Sequence, residues 1–339
     1  MSNEGRTPDL TRDRGLQTVR ESTYKYALAG CAVLSVLTTV GIIGVLFVDA
    51  AEFFASPAVT FGEFFTSTRF SPNLEPVSFG IFPLLLGTLL VTFGAALVAL
   101  PIGLLTAIYL SEYASQRTRS VLKPMLEVLA GVPTVVYGYF ALVYITPALN
   151  VVIGGVNGAL GTQFPTLGLF NGLSASIVVG IMIIPMVSSI SEDAMSSVPD
   201  SLRQAGYGLG ATKFNVSLRI VVPAAISGIA SSFILAISRA IGETMAVVLA
   251  AGSRPPDIPP TQSAFGLLPY VAPGDLLALY SDSAATMTVA MINIAVSDLS
   301  GGSLAYQSLF AIGLTLFVIT LAMNVISDAI ANRYREEYE

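Results

Sequence analysis

Residues 198–223 read VPDSLRQAGYGLGATKFNVSLRIVVP, and the sequence on both sides of them is strongly apolar. Pro199 cannot lie inside a helix, and either of the two polar residues after it can cap a helix that begins there. Gly210 suits the left-handed position just past a helix end, and Thr212 can cap the next helix. The stretch therefore predicts a short helix, a tight turn and a second helix that runs into the apolar sequence.

The first of these helices carries an apolar face that a simple connection would not need. Leu202, Ala205 and Leu209 are spaced by three and four residues and so share one side of the helix. A connection with no further role is the alternative interpretation. Because a loop in water needs few apolar residues, the pattern favours a surface on which a partner protein docks.

The apolar sequence around this stretch decides the class of protein. Of 339 residues, 53% are hydrophobic and 11% are charged, and the mean hydropathy is +0.74. Soluble domains carry about 25% charged residues, because their surface faces water. An apolar helix of about 20 residues crosses the hydrocarbon core, whereas the strict alternation of a membrane β-barrel is missing here. Five segments carry no charge at all: 26–48, 76–111, 128–191, 220–238 and 299–327.

Six transmembrane helices are predicted from these segments. The run 128–191 is too long for one helix, and its middle, rich in glycine and polar residues, divides it into two spans. Segment 284–296 is apolar but short, so it is expected to lie in the membrane interface or to re-enter the membrane. The predicted spans lie near 26–48, 81–110, 124–147, 173–192, 220–250 and 304–327.

Lysine and arginine fix the expected orientation. They concentrate in the amino-terminal segment, in the second and fourth connections and in the tail, whereas the opposite side carries only Arg69 and Arg254. Basic residues collect on the cytoplasmic side of a membrane protein. Both termini are therefore predicted to be cytoplasmic, as an even number of spans requires.

Several kinds of chemistry are excluded by composition. The sequence has no histidine and one cysteine, Cys31, so an internal disulfide and a cysteine metal cluster are not expected. It contains no Gly-Lys pair and therefore lacks the loop that binds ATP phosphates in many ATPases. The net charge of −6 argues against a nucleic-acid partner. No cofactor is expected, and ATP would be bound by a partner subunit.

A first motif is similar to that of importer permeases of the ATP-binding-cassette type. Their cytoplasmic coupling loop carries Glu-Ala-Ala, three residues, Gly, nine residues and Ile-x-Leu-Pro. The matching residues here, at the same spacing, are Gln204-Ala205-Gly206, Gly210 and Ile220-Val221-Val222-Pro223. The resemblance implies that Gln204, Ala205, Gly206 and Gly210 couple the chain to a separate ATPase. Gln204 stands in place of the family glutamate and cannot form that residue's salt bridge.

A second motif narrows the family. Residues 238–247, SRAIGETMAV, resemble the Gly-Glu-Thr-Met-Ala stretch of phosphate-specific transport permeases of the PstC kind. The likeness covers about residues 80–335 and implies an all-α integral membrane protein with the type I, MetI-like fold of ABC importer permeases. It also implies a set of partners: a second, PstA-like permease, two copies of a PstB-like ATPase, an external PstS-like phosphate-binding protein and membrane lipid.

The domain plan follows from the spans and the resemblance. It has a cytoplasmic amino-terminal segment 1–25, a transmembrane permease domain 26–332 with its coupling loop near 198–219, and a cytoplasmic tail 333–339.

Two charges lie inside the otherwise uncharged fifth span. Arg239 and Glu243 are four residues apart, which places them on one side of a continuous helix. A charge at the bilayer centre costs about 2.5–3.5 kcal/mol, so both are expected to face the bundle interior and to pair. The planar guanidinium of arginine suits phosphate oxygens. We expect the two residues to line the translocation pathway; a clasp that only holds helices together is the alternative.

The charges at the membrane borders are expected to be solvated or interfacial. Glu112 and Arg117 are predicted to lie in water. Lys123 and Glu127, four residues apart, are predicted to lie in the interface.

These expectations combine into a permease subunit of an ATP-driven phosphate importer. It would be a non-catalytic, multi-pass protein of the plasma membrane that forms half of the pathway. A permease for another oxyanion, a self-contained channel, a secondary transporter and an intramembrane enzyme are the alternatives. A secondary transporter would predict inverted repeats and midplane carboxylates, and an intramembrane protease would predict a His-Glu-x-x-His motif or an acid dyad. The sequence has none of these patterns.

Overall fold

The computed structural model describes residues 14–258, 263–264, 268–269, 272 and 275–333. Within these residues it consists of α-helices, three π-helical turns and two small antiparallel hairpins. The helices are α1 Arg14–Ala55, α2 Phe61–Thr66, α3 Phe82–Ile108, α4 Gln116–Ala130, α5 Thr134–Phe140, α6 Thr146–Leu160, α7 Gly172–Ser196, α8 Asp200–Gly208, α9 Lys213–Val216, α10 Val222–Ala224, α11 Ile226–Ile241, α12 Met245–Ala251, α13 Leu276–Ser281, α14 Met287–Ala295 and α15 Leu304–Arg333. The π turns are Tyr109–Tyr113, Ala141–Ile145 and Ser217–Val221, and the strands are β1 Phe70–Ser71 with β2 Ser78–Phe79 and β3 Ser263–Ala264 with β4 Leu268–Pro269.

Two compact units divide the chain between Asp49 and Ala50. The first is the greater part of α1, and the second holds all the other elements. Helix α1 begins within the predicted amino-terminal segment, at Arg14, and the first thirteen residues and the last six lie outside the described ones.

The described residues confirm the predicted all-α architecture with five or six helices able to span a membrane. Five helical segments are long and apolar enough to cross a membrane, and a sixth is present if one bent pair counts as a single span. The bent pair is Lys213–Ala224 with Ile226–Ile241, at an angle of 71°. The other five are Arg20–Ala55, Phe82–Tyr113, Thr134–Leu160, Gly172–Ser196 and Leu304–Ile330.

The prediction for the third span is wrong in position. The span begins at Thr134 rather than near residue 124, and α4 forms a separate helix before it. Pro133 takes an extended backbone conformation (φ −55°, ψ 133°) and caps the next helix, so the chain turns there. The predicted fifth span, 220–250, is also not continuous. It bends at Ala225 and is interrupted again between Ile241 and Met245.

Helices α3 and α7 form the centre of the second unit. They run parallel, because contacts advance together along both, from Gly94 with Ser176 to Gly103 with Val187. A Cβ atom added at Gly103 would lie 2.7 Å from the Val187 side chain, so glycine is what allows the close approach. Both helices end near α8, and this end of the bundle is called the α8 end. The opposite end, where the β1–β2 hairpin precedes α3, is called the hairpin end.

Segment 284–296 lies inside the bundle rather than on its surface. Its helix, α14, has nine residues, too few to cross a membrane. Met287 and Val289 are fully buried, and the Met287 N–H donates to Thr88 Oγ1 of α3 at 3.0 Å. The start of α14 is therefore fixed at the depth of Thr88, six residues into α3, which is about 9 Å along the helix from Phe82.

Candidate functional site

The predicted helix–turn–helix is present at the α8 end. Helix α8 ends at Gly208, and Gly210 has a positive φ of 80°. The Gly210 N–H donates to Tyr207 O at 2.9 Å, and the Ala211 N–H donates to Gly206 O at 3.1 Å. This pair of bonds is the Schellman arrangement, which satisfies the last carbonyls of a helix and needs a left-handed residue. Gly210 therefore sets the turn, as its position in the sequence predicts.

One of the two predicted helix caps is present. The Thr212 side chain accepts a hydrogen bond from the Asn215 N–H, which confirms it as the cap of α9. The cap of α8 is Pro199, with no side-chain bond, and Asp200 is already helical. The extended backbone that proline favours (φ −58°, ψ 137°) suits this position and leaves Asp200 in the first turn.

The predicted apolar face of α8 divides between the bundle and solvent. Leu202 packs against a small apolar cluster that includes Val216. Leu209 is 90% exposed at the turn, and Phe214 after it is also exposed. An apolar tip of this kind, free in the isolated chain, is what a docking surface requires.

The four predicted coupling residues all lie in α8 and its turn. Gln204 and Ala205 are exposed, whereas Gly206 is buried. A Cβ atom added at Gly206 would lie 2.7 Å from Ile220 Cδ1, so glycine at this position brings α8 close to the helix that follows. Two of the residues are thus available to a partner, and the other two set the geometry.

Arg203 fastens α8 to the ends of two long helices. Its Nε and Nη2 donate to Glu112 Oε1 at 3.2 and 3.1 Å. Its Nη2 also donates to Met195 O at 2.8 Å, and its Nη1 donates to Val198 O at 2.5 Å and to Asp200 Oδ1 at 3.2 Å. The Glu112 side chain is 4% exposed and that of Arg203 15% exposed. The prediction that Glu112 is solvated is therefore wrong, while Arg117 is exposed as predicted.

A second buried carboxylate holds α4 against α7. Glu192 of α7 is fully buried and forms ion pairs with Arg119 and with Lys123, whose Nζ lies 2.8 Å from Glu192 Oε2. Lys123 Nζ also lies 2.8 Å from Asp193 Oδ1. Hydrogen bonds to Asp193 and then to Glu192 raise the pKa of Lys123 above its ordinary value of 10.5. Lys123 thus pairs across helices with α7 rather than with Glu127, its predicted interfacial neighbour.

The predicted pathway residues lie at a break in the fifth span. Helix α11 ends at Ile241 and α12 begins at Met245, so Glu243 lies between two helices. Its Oε1 accepts a hydrogen bond from the Ala246 N–H at 3.2 Å, and its main-chain oxygen accepts one from Thr288 Oγ1 at 2.9 Å. The carboxylate is buried and is satisfied by the start of α12.

Arg239 lies in the last turn of α11 and is exposed in the isolated chain. Among the described residues it forms no ion pair with a carboxylate. The expected pairing of Arg239 and Glu243 on one helical face is therefore wrong, and so is the alternative of an Arg239–Glu243 clasp. The helix ends at Gly242, before Glu243, and the carboxylate turns to cap α12 instead.

The contacts of α14 give the depth of the break. Thr288 bonds the main chain of Glu243, and its neighbour Met287 bonds Thr88. Glu243 thus lies near the depth of Thr88, about 9 Å along α3 from the hairpin end. Arg239, in the last turn of α11, lies before the break, in a segment that can span a membrane if the bent pair counts as one span.

The hairpin end carries a separate cavity of about 430 Å³. Phe170, Leu279, Asp282 and Arg254 are among the residues that line it. Arg254 forms an ion pair with Asp257 on the surface. Its charge is thus compensated within the chain, unlike that of Arg239.

Comparison with known proteins decides the family. Residues 99–336 match the family described as binding-protein-dependent transport system inner membrane component. The chain belongs to this family. The matched range holds both α8 with its turn and the broken span, and the protein is an ABC transporter permease embedded in the membrane.

Curated relatives cover most of the chain. A probable ABC transporter permease protein of Bacillus subtilis, YqgH, is 30% identical over 98% of this chain and 97% of its own length. The phosphate transport system permease protein PstC of Mesorhizobium japonicum is 32% identical over 79% of this chain and 78% of its own length. These likenesses agree with the PstC-like resemblance of residues 238–247.

A solved structure shares the fold. The permease in the crystal structure of a bacterial alginate ABC transporter, in complex with a periplasmic protein bound to an alginate pentasaccharide, has a TM-score of 0.56. The match covers 95% of this chain and 98% of that one at 13% identity. The predicted fold of an ABC importer permease of type I is thereby confirmed.

Arg203, Glu112 and Glu192 are absent from the predicted site residues. A signal for two of them exists in the sequence, because Glu112 and Glu192 each end a long uncharged segment. A carboxylate at such a border needs a partner if the bundle covers it. The partners lie 69 to 91 residues away along the chain, and no local spacing points to them.

Proposed function

We propose that the chain is one of two permease subunits of an ATP-driven phosphate importer and forms half of its translocation pathway. The observation that carries the proposal is Arg239, an exposed cation in the bent membrane-spanning pair with no carboxylate partner among the described residues. Arginine binds phosphate oxygens through two parallel hydrogen bonds. The PstC relatives, named as phosphate transport permeases, support the same substrate.

The exposed tip of α8 supports a docking role for the loop. In this proposal Leu209 and Phe214 insert into a groove of an ATPase subunit, and Gly210 keeps the turn tight. The complex would contain this chain, a second homologous permease, two ATPase copies and an external phosphate-binding protein. The distribution of lysine and arginine supports an α8 end and termini in the cytoplasm.

Reconstitution tests the assignment. The complete complex, the chain alone and the complex without ATPase are placed in liposomes with the binding protein, and uptake of radioactive phosphate is measured with and without ATP. We expect ATP-dependent uptake only by the complete complex. Uptake by the lone chain would overturn the proposal, and uptake of sulfate in place of phosphate would assign another oxyanion.

Cysteine labelling tests the orientation. Cys31 is the single cysteine, so a Cys31→Ser background accepts new ones. Leu209→Cys reports on the turn after α8, and Leu74→Cys, exposed beside the β1–β2 hairpin, reports on the opposite end. In intact cells an impermeant maleimide should label the cysteine at 74 and not the one at 209. The reverse result would invert the topology.

A further inference from the structure

Arg203 joins three helix ends, those of α8, α3 and α7, through hydrogen bonds. Within the described residues, its bonds to Glu112 are the only hydrogen bonds between α8 and the α3 segment. Its bonds to the carbonyls of Met195 and Val198 fix the same guanidinium to the end of α7. Carbonyls at a helix end carry partial negative charge, which suits a cation. One rigid planar group therefore sets the position of α8 against both long helices.

The contacts of Arg203 with Glu112, Met195 and Val198 are called the joint, and its buried ion pair resists separation. Both side chains are largely buried, so their attraction is screened less than that of a surface pair. Removing one partner of a buried pair leaves the other charge without compensation. Glu112 lies in the π turn Tyr109–Tyr113 that ends α3. Single π turns are found frequently at functional sites.

A continuous route leads from this joint to the break in the fifth span. Helix α3 with its π turn runs from Glu112 back to Thr88, a distance of about 36 Å. Thr88 accepts the Met287 N–H, and Thr288 bonds the main chain of Glu243. A displacement of α8 that pulls Glu112 therefore has a mechanical connection to the residues beside Arg239.

We propose that Arg203 is the positioning residue that transmits movement of α8 through Glu112 and α3 to the helix break. The proposal rests on the proposed function, because it assumes that an ATPase moves α8. Gly206 packs α8 against the following helix through apolar contacts. Arg203 adds hydrogen bonds that tie α8 to the ends of α3 and α7.

The test is the number of phosphate ions taken up per ATP hydrolysed in proteoliposomes with the complete complex. Arg203→Gln and Glu112→Gln are compared with wild type and with Arg117→Gln, an exposed arginine outside the joint. We expect both joint variants to assemble, to hydrolyse ATP and to lower the ratio at least fivefold, with Arg117→Gln unchanged. A ratio within twofold of wild type in assembled Arg203→Gln would overturn the proposal.

Two further variants separate transmission from folding. Arg203→Lys keeps the positive charge but loses the planar guanidinium with its several donors. This variant should assemble and give an intermediate number of phosphate ions per ATP hydrolysed. Thr88→Val removes the acceptor at the far end of the route and should lower the ratio without touching α8. If Arg203→Gln fails to assemble, normal ratios in both of these variants would overturn the proposal. Absence of uptake by the wild-type complex would instead contradict the proposed function.

Discussion

Two regions of the molecule differ in how their charged side chains are paired. At the α8 end, Glu112 and Glu192 are buried and each is bonded to cationic side chains from another helix. At the break in the fifth span, Glu243 is buried but bonded to a main-chain N–H. Arg239 is exposed and has no carboxylate partner among the residues that the structure describes. The first region uses charge to hold helices together. In the proposed function, the second provides a cation that receives the transported anion.

The difference follows from what each region must tolerate. A buried pair with several hydrogen bonds resists movement, because separating it leaves a desolvated charge. A transport site must bind and release its substrate, so a permanent carboxylate partner would compete with the anion. If Arg239 binds the anion as proposed, the bond of Glu243 to the start of α12 removes that competitor. We expect mutations to damage stability or the coupling ratio in the first region and substrate movement in the second.

The largest expected effect is at Arg239. Arg239→Gln removes the charge but keeps a polar side chain, and a hydrogen bond to a charged group contributes about 1.5–3 kcal/mol. Phosphate uptake should fall by about 10- to 150-fold, while assembly and ATP hydrolysis persist. Arg254→Gln, at an arginine paired with Asp257 on the surface, is the matched control. Normal uptake by Arg239→Gln would remove it from the pathway.

The same region offers a test of the missing clasp. If Arg239 and Glu243 were paired, the double change Arg239→Gln with Glu243→Gln would recover stability lost in either single variant. Because the structure shows Glu243 bonded to Ala246 instead, we expect the two changes to act independently on the melting temperature of the purified complex. Uptake by the double variant should remain as low as that of Arg239→Gln. Recovery of uptake or of stability in the double variant would instead support the Arg239–Glu243 clasp.

The next largest effect is expected for substitution of Glu192. Glu192→Gln removes a charge shared by Arg119 and Lys123, each about one-third exposed and so able to regain water. We expect a loss of about 2 kcal/mol, within the range for an unmade bond to a charged group, seen as a lower melting temperature of the detergent-solubilised complex. Glu127→Gln, on the same side of the bundle but exposed, is the control. Equal melting temperatures for both would mean that the buried pairs contribute nothing.

A substitution at Gly210 tests whether the left-handed turn after α8 is needed for docking of the ATPase. Gly210→Val forces a β-branched residue to a φ of 80°, at a cost of about 1–2 kcal/mol. Gly208→Val is the matched control, because its neighbourhood is equally open but its φ is negative. We expect weaker co-purification of the ATPase with Gly210→Val alone. If both variants retain the ATPase equally, the left-handed turn is not needed for docking.

Much of this architecture was predictable from sequence, and the failures have two physical causes. Uncharged runs predict the spans, and Gly210 and Thr212 predict the turn, because these signals are local. The predicted pairing of Arg239 with Glu243 failed because a spacing of four residues implies contact only in a continuous helix. This helix ends at Gly242, before Glu243. Glu112 and Glu192 were missed because their partners are distant in the chain. Only the packing of α4 and α8 against the long helices brings these partners together.

The smallest expected effect concerns pH. The hydrogen bonds to Asp193 and Glu192 raise the pKa of Lys123, so its charged form stabilises the folded state. That contribution is fully present below about pH 10.5, the ordinary lysine value, and is lost as pH rises through the higher value of the folded state. Since the lysine is partly exposed, we expect less than about 1 kcal/mol. Lys123→Arg keeps its charge throughout, so its melting temperature relative to wild type should be constant from pH 7 to pH 10 and rise above that. A constant difference up to pH 11.5 would show that this pairing does not contribute to stability.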